Sequence, residues 1–196
     1  MIIEFRVANY RSIREEQALS FVAGAGKALE NPDHRFDTPE KKPQKLVKSI
    51  CLYGANASGK SNLLLALRVM IRLIRESNHN HLGDPIMDIE PFAFDATSLS
   101  EPTTLELTFI APFDGQPTRF QYGFKIDESR IHEEWLYTYP KGYARCLLHR
   151  EPGNEGKEWD GAAAKGIYKQ IASRTNNNTL FLRLKHPKNP ASSPQA

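Results

Sequence analysis

The residues that most constrain this chain are Gly54-Ala55-Asn56-Ala57-Ser58-Gly59-Lys60-Ser61, whose spacing is G-x-x-x-x-G-K-S. They lie between an apolar run, Ser49-Ile50-Cys51-Leu52-Tyr53, and a helical pattern that begins at Asn62. A polyphosphate needs a concave ring of backbone N–H donors, and only a chain with little side-chain bulk can bend closely around it. Gly54 and Gly59 supply that freedom. In such an arrangement Lys60 lies along the β- and γ-phosphates and Ser61 presents its hydroxyl to Mg2+, while the following helix points its positive N-terminus at the anion. Chance alone brings the four fixed positions together in well under about one in fifty chains of this length. The context makes coincidence rarer, because Leu63, Leu67, Met70, Ile71 and Ile74 follow the helical period over about Ser61 to Glu76. The expected ligand is a nucleoside triphosphate with Mg2+, and nothing in the octet chooses ATP over GTP.

A chain of 196 residues, 40% of them hydrophobic, can bury a core and is not a disordered polymer. Its formal net charge of +3 permits contact with DNA or RNA but is far from that of a dedicated basic arm. No apolar run approaches the length of a membrane span, and Met1-Ile2-Ile3-Glu4-Phe5-Arg6 lacks the ordered regions of a signal peptide. A cytoplasmic protein with no membrane contact is expected. The two cysteines, Cys51 in the apolar run and Cys146 beside Leu147 and Leu148, suit reduced, packed thiols.

Alternation of Ile3, Phe5 and Val7 with Glu4, Arg6 and Ala8 predicts a half-buried first strand, broken at Asn9-Tyr10-Arg11-Ser12. A second strand over Gln17 to Val22 would pair with it antiparallel. Residues 27 to 45 have the composition of a solvated loop, and Leu46 to Tyr53 reads as the strand feeding the octet. Residues 89 to 150 read as a sheet lobe, a meander of Thr103 to Ile110, Arg119 to Ile126 and Ile131 to Tyr139. Arg68, Arg72 and Arg75 share a helix face, for which a solvated surface is preferred to a nucleic-acid stripe. His79 and His81 lack partners at metal-ligand spacing, and Glu133-Glu134 point to opposite faces of a strand, which argues against a catalytic carboxylate pair. A short helix is expected around Ala162 to Arg174, a last core segment at Thr179 to Leu182, and a disordered tail over residues 183–196.

With these elements placed, the chain resembles the N-terminal part of AAA-type ATP-binding proteins whose heads are built like ABC ATPases, the RecF, SMC and OLD-like group. Ile2 to Ile13 is similar to the family's first strand with its N-[FY]-[RK]-S turn, and Gly54 to Asn62 to its G-x-N-x-[SA]-G-K-S-[NT] phosphate loop. Pro91-Phe92-Ala93-Phe94-Asp95, Tyr122-Gly123-Phe124, Ile131 to Tyr137 and Leu148-His149-Arg150 resemble the sheet lobe of a bacterial phage-defence subgroup. The resemblance covers residues 1–182 and implies an α/β fold: a P-loop NTPase core half, like an ABC-ATPase head, with an antiparallel β lobe. It implies ATP and Mg2+ held by Gly54, Ala55, Asn56, Ala57, Ser58, Gly59, Lys60, Ser61 and Asn62, with Arg11 and Ser12 approaching the nucleotide and Ser61 on the metal. In the complete family form it further implies Mg-dependent hydrolysis, dimerisation of ATP-bound heads and coupling to nucleic-acid transactions or phage defence.

Family members complete catalysis with a Ser-Gly-Gly signature, an apolar strand ending in Asp-Glu (Walker B) and a later His, and this sequence contains no such signature or strand. Without those groups the in-line attack on the γ-phosphate loses positioning and electrostatic support. The alternative expectation is therefore a truncated, non-catalytic nucleotide-binding or dimerisation module. A truncated or frame-shifted reading frame is preferred to a natural short paralogue, because residues 175–182 pass abruptly into a Pro-, Lys- and Ser-rich tail.

Overall fold

The computed structural model describes residues 1–24, 34–39, 44–77, 83–140, 142–153, 159–161 and 175–184. The expected helix at Ala162 to Arg174, the pair His79 and His81, and nearly all of the tail lie outside these residues.

Antiparallel sheet is the main regular structure of the described residues. Strands β1 (Ile2–Ala8), β2 (Gln17–Ser20), β5 (Thr103–Phe113), β6 (Gln116–Ile126), β7 (Ile131–Thr138), β8 (Arg145–Arg150) and β9 (Trp159–Asp160) form one sheet in the order β2-β1-β5-β6-β7-β8-β9. A separate pair joins β3 (Arg35–Asp37), in a stretch expected to be loop, to β4 (Lys45–Val47), which takes up the start of the strand expected from Leu46. Helices are few: α1 (Lys60–Glu76), α2 (Ala96–Ser100) and α3 (Phe181–Leu184). The first strand and the lobe are continuous, since β1 pairs directly with β5, Phe5 opposite Leu107 and Val7 opposite Leu105.

Local chemistry explains the meander. Strands β5 and β6 meet at Asp114-Gly115, both at positive φ (51° and 75°), as a two-residue hairpin turn matched to strand twist requires. Between β6 and β7, Asp127 Oδ1 accepts hydrogen bonds from the backbone N–H groups of Ser129 and Arg130 at 2.7 and 2.8 Å and from the Ser129 hydroxyl at 2.6 Å. Burial opposes ionisation of Asp127, yet these donors and His132 outweigh it and hold its pKa at about 2.

One face of the sheet carries the core. Phe5, Val7, Leu105, Phe124 and Ile131 pack there with Ala66, Val69, Met70 and Leu73 of α1. Of the stripe its period suggested, Met70 is buried and Leu63, Leu67 and Ile74 pack against the core, while Ile71 is 41% exposed. Ala66, Val69 and Leu73 join Met70 at the buried centre of the same face. At the β3–β4 side, Ile3, Leu46 and Ile110 form a smaller cluster against Phe36.

A buried polar clasp joins the last described segment to this sheet. Glu134, fully buried on β7, accepts from Tyr122 Oη at 2.8 Å and from the backbone N–H groups of Phe181 and Leu182 at 2.9 and 3.2 Å. Arg150 donates to the carbonyls of Thr179, Asn176 and Thr175 at 3.0, 3.0 and 3.3 Å. Burial raises the pKa of Glu134, with the N–H of Phe181 and the Arg150 charge opposing the rise. Its neighbour Glu133 projects to the other face, as the strand period requires.

The feeding strand is the main departure from expectation. Strand β4 ends at Val47, and Ser49 to Tyr53 runs on without sheet pairing among the described residues. Cys51 is consequently exposed rather than packed, and Tyr53 is 94% exposed. An apolar run becomes a strand only when neighbours take up its N–H and C=O groups, and none of the described strands lies beside it.

Candidate functional site

The octet forms a tight loop capped by a helix. Gly54 and Gly59 have φ of 156° and 88°, and Ala57 adopts φ 63°, a left-handed conformation uncommon for a residue with a side chain. Gly59 is also the N-cap of α1, which has no side-chain cap and no acidic residue in its first turn. The first amides of the helix are thus left to an anion, and the helix dipole favours one. Gly59 has a second reason to lack a side chain: a Cβ there would lie 3.3 Å from Ser12 Oγ.

Lys60 folds back over its own loop. Its Nζ donates to the carbonyls of Gly54 and Ala55 at 2.9 and 2.7 Å and to Ser58 Oγ at 3.3 Å. The ammonium is held by neutral acceptors that a phosphate, being charged, would outcompete. Ser61 is exposed at the start of the helix, next to Lys60 but outside the group of residues that line the adjoining cleft. Asn62 Nδ2 donates to Ser12 Oγ at 2.7 Å, which ties α1 to the turn after β1.

That turn forms the opposite wall of a cleft of about 480 Å3. Ser12, Arg14, Glu15 and Gln17 line it on one side, and Leu52, Tyr53, Ser58, Gly59 and Lys60 on the other. Arg11 is placed differently. Its backbone sits at φ 51°, its N–H donates to the Glu90 carbonyl at 2.7 Å, and its guanidinium donates to Glu90 Oε1 at 2.6 Å. Burial disfavours the Arg11 charge, but the hydrogen bond and charge of Glu90 outweigh this and raise its pKa. Of the two turn residues named from the sequence, Ser12 faces the cleft and Arg11 is not among its lining groups. Arg14 and Glu15 were missed, although they immediately follow the N-Y-R-S turn.

Asn9 fixes the turn from beneath. Its side-chain amide donates to the carbonyls of Ser98 and Glu101, both at 2.8 Å, and its Oδ1 accepts from the Phe92 N–H at 3.0 Å. The turn is therefore seated on the segment around α2 while Ser12 reaches across to Asn62. Arg72 is committed to Asp88 at 2.7 Å and to the Met87 carbonyl at 2.6 Å, which removes the middle member of any basic stripe on α1.

Among the described residues, no helix is long and apolar enough to cross a membrane. No curated protein and no solved structure matched the chain. Residues 49–190 match the family model described as "AAA domain, putative AbiEii toxin, Type IV TA system". That match takes in the Gly54–Ser61 octet, helix α1 and the sheet from β5 onward, and the chain belongs to this AAA family of P-loop NTPases.

Proposed function

We propose that the chain binds ATP with Mg2+ in the cleft between the Gly54–Ser61 loop and the Ser12–Gln17 turn. One observation carries this reading: Ser58, Gly59 and Lys60 line the same cleft as Ser12, at the uncapped N-terminus of a 17-residue helix. Backbone amides from Ala55 to Ser61 would cradle the phosphates, Lys60 would leave its loop carbonyls for the β- and γ-phosphates, and Ser61 would meet Mg2+. Asn62, through its bond to Ser12, would hold the two walls of the cleft in register. Residues 1–182 are read as the first part of an ABC-like AAA domain. Mg-dependent hydrolysis, dimerisation through ATP-bound heads, and work on DNA or RNA, phage defence or a toxin–antitoxin system belong to the complete family form.

A second reading is a nucleotide-binding or dimerisation module without turnover. It is favoured by the chemistry of the cleft, where Glu15 is the sole carboxylate among the lining residues and arrives from the turn, opposite the loop that would hold the phosphates. Orienting a water for in-line attack needs a carboxylate or amide fixed beside the γ-phosphate.

Titration of the purified chain with ATP and Mg2+, by calorimetry and by phosphate release, tests both readings. Saturable binding is expected. Lys60→Ala should weaken it about ten- to hundredfold, the equivalent of losing one or two charge-assisted hydrogen bonds. Binding unchanged in Lys60→Ala would refute the assignment of the cleft, and phosphate release by the isolated chain at an ordinary ATPase rate would refute the second reading.

A further inference from the structure

The open face of the sheet carries a second group of convergent ligands, distant in chemistry from the phosphate loop. Glu133 on β7, His149 on β8 and Glu151 just beyond it bring one carboxylate oxygen, one imidazole nitrogen and another carboxylate oxygen within 4.8 Å of one another. His149 Nε2 lies 3.0 Å from Glu133 Oε1 and 3.7 Å from Glu151 Oε1. The strand register produces this meeting. Trp135 lies opposite His149, so Glu133, two residues before Trp135, and Glu151, two residues after His149, emerge on the same face.

From this geometry we infer that Glu133, His149 and Glu151 form a binding site for a divalent first-row transition ion of the Zn2+ type. Ligands about 2.0 to 2.2 Å from a tetrahedral zinc stand about 3.3 Å apart, close to the two separations His149 makes. One nitrogen and two carboxylate oxygens suit zinc better than Mg2+, which takes oxygen donors and keeps most of its water. His149 Nε2 is aimed between two carboxylates, where an ion would meet all three groups. Lys125 Nζ, 2.7 Å from Glu133 Oε2, turns the other oxygen, Oε1, toward His149 and leaves it for the ion. His149 and Glu133 are 27% and 25% exposed at their side chains, open enough for an ion to enter with water as a further ligand. Bound there, the ion would cross-link β7 to β8 and stabilise the fold in proportion to its occupancy.

Calorimetric titration of the full chain with Zn2+ alone, and visible absorption with Co2+ as a spectroscopic probe, test the site. One ion per chain is expected, with a tetrahedral Co2+ band, a melting temperature that rises with Zn2+, and no displacement by a hundredfold excess of Mg2+. His149→Gln and Glu151→Gln, both at partly exposed positions, should each weaken binding at least tenfold and remove the band, while Lys60→Ala leaves it intact. Absence of binding to the parent chain, binding by both variants as tight as the parent's, or displacement by Mg2+ would overturn the assignment.

Discussion

From Thr103 to Arg150 every strand has a neighbour on both sides, whereas from Ser49 to Tyr53 the backbone is extended and unpaired among the described residues. Both stretches are apolar enough to be strands. What separates them is company: the sheet satisfies its own N–H and C=O groups and seals Glu134 and Arg150 into a clasp, while the run before the octet has no strand beside it among the described residues. Stability and the proposed nucleotide chemistry are thereby separated along the chain. Outside the proposed ion site on β7 and β8, substitutions in the sheet should act on folding, and substitutions in the loop on nucleotide binding.

The sharpest way to break this contrast is at the clasp. Glu134→Ala leaves the Arg150 charge buried without its carboxylate and strips an acceptor from Tyr122 and the Phe181 N–H; a loss of about 3–5 kcal/mol in denaturant unfolding is expected. Gly123→Ala comes next. A Cβ at Gly123 would lie 2.3 Å from the Trp135 ring and 2.9 Å from the Leu105 carbonyl, so about 1–3 kcal/mol should be lost, with altered Trp fluorescence.

Asp127→Asn should cost less, and its effect should depend on pH. The folded pKa of about 2 lies below the unfolded value near 3.8. Its contribution is therefore complete above about pH 4 and disappears as pH falls through about 2. Melting curves of variant and parent should differ by under about 1 kcal/mol at pH 6, the site being partly exposed, and converge near pH 2. Least of all, Tyr53→Ser at a 94% exposed position should change unfolding by within about 0.5 kcal/mol. A large destabilisation there would mean that the 49–53 segment is packed in solution, and the contrast would fail.

The sheet was legible because its signal is local. Ile3, Phe5 and Val7 alternate and are buried, and Asp114-Gly115 marks its hairpin. The octet was legible for the same reason, its spacing being a property of eight consecutive residues. Relations across long separations were not. Arg11 meets Glu90 and Asn62 meets Ser12 through the folded chain, and nothing in either segment announces its partner. The apolar run at Ser49 to Tyr53 was read as a strand because composition resembles one, but pairing belongs to two segments and cannot be read from one. The stripe of α1 was legible in Leu63, Leu67, Met70 and Ile74 but not in Ile71, which is exposed, because the run Leu63-Leu64-Leu65 blurs the edges of the apolar face.

The seating of Trp135 over Gly123 has a consequence for how this sheet can change over generations. The indole also donates to Glu106 Oε2 at 2.9 Å, and Gln121 shares that oxygen at the same distance. A side chain at position 123 is admissible only after position 135 has given up its ring, and giving up the ring frees Glu106 from one of its two donors. Losing the ring is not sufficient either, because the Leu105 carbonyl would still stand 2.9 Å from a Cβ at position 123, so growth there also needs β5 and β6 to shift.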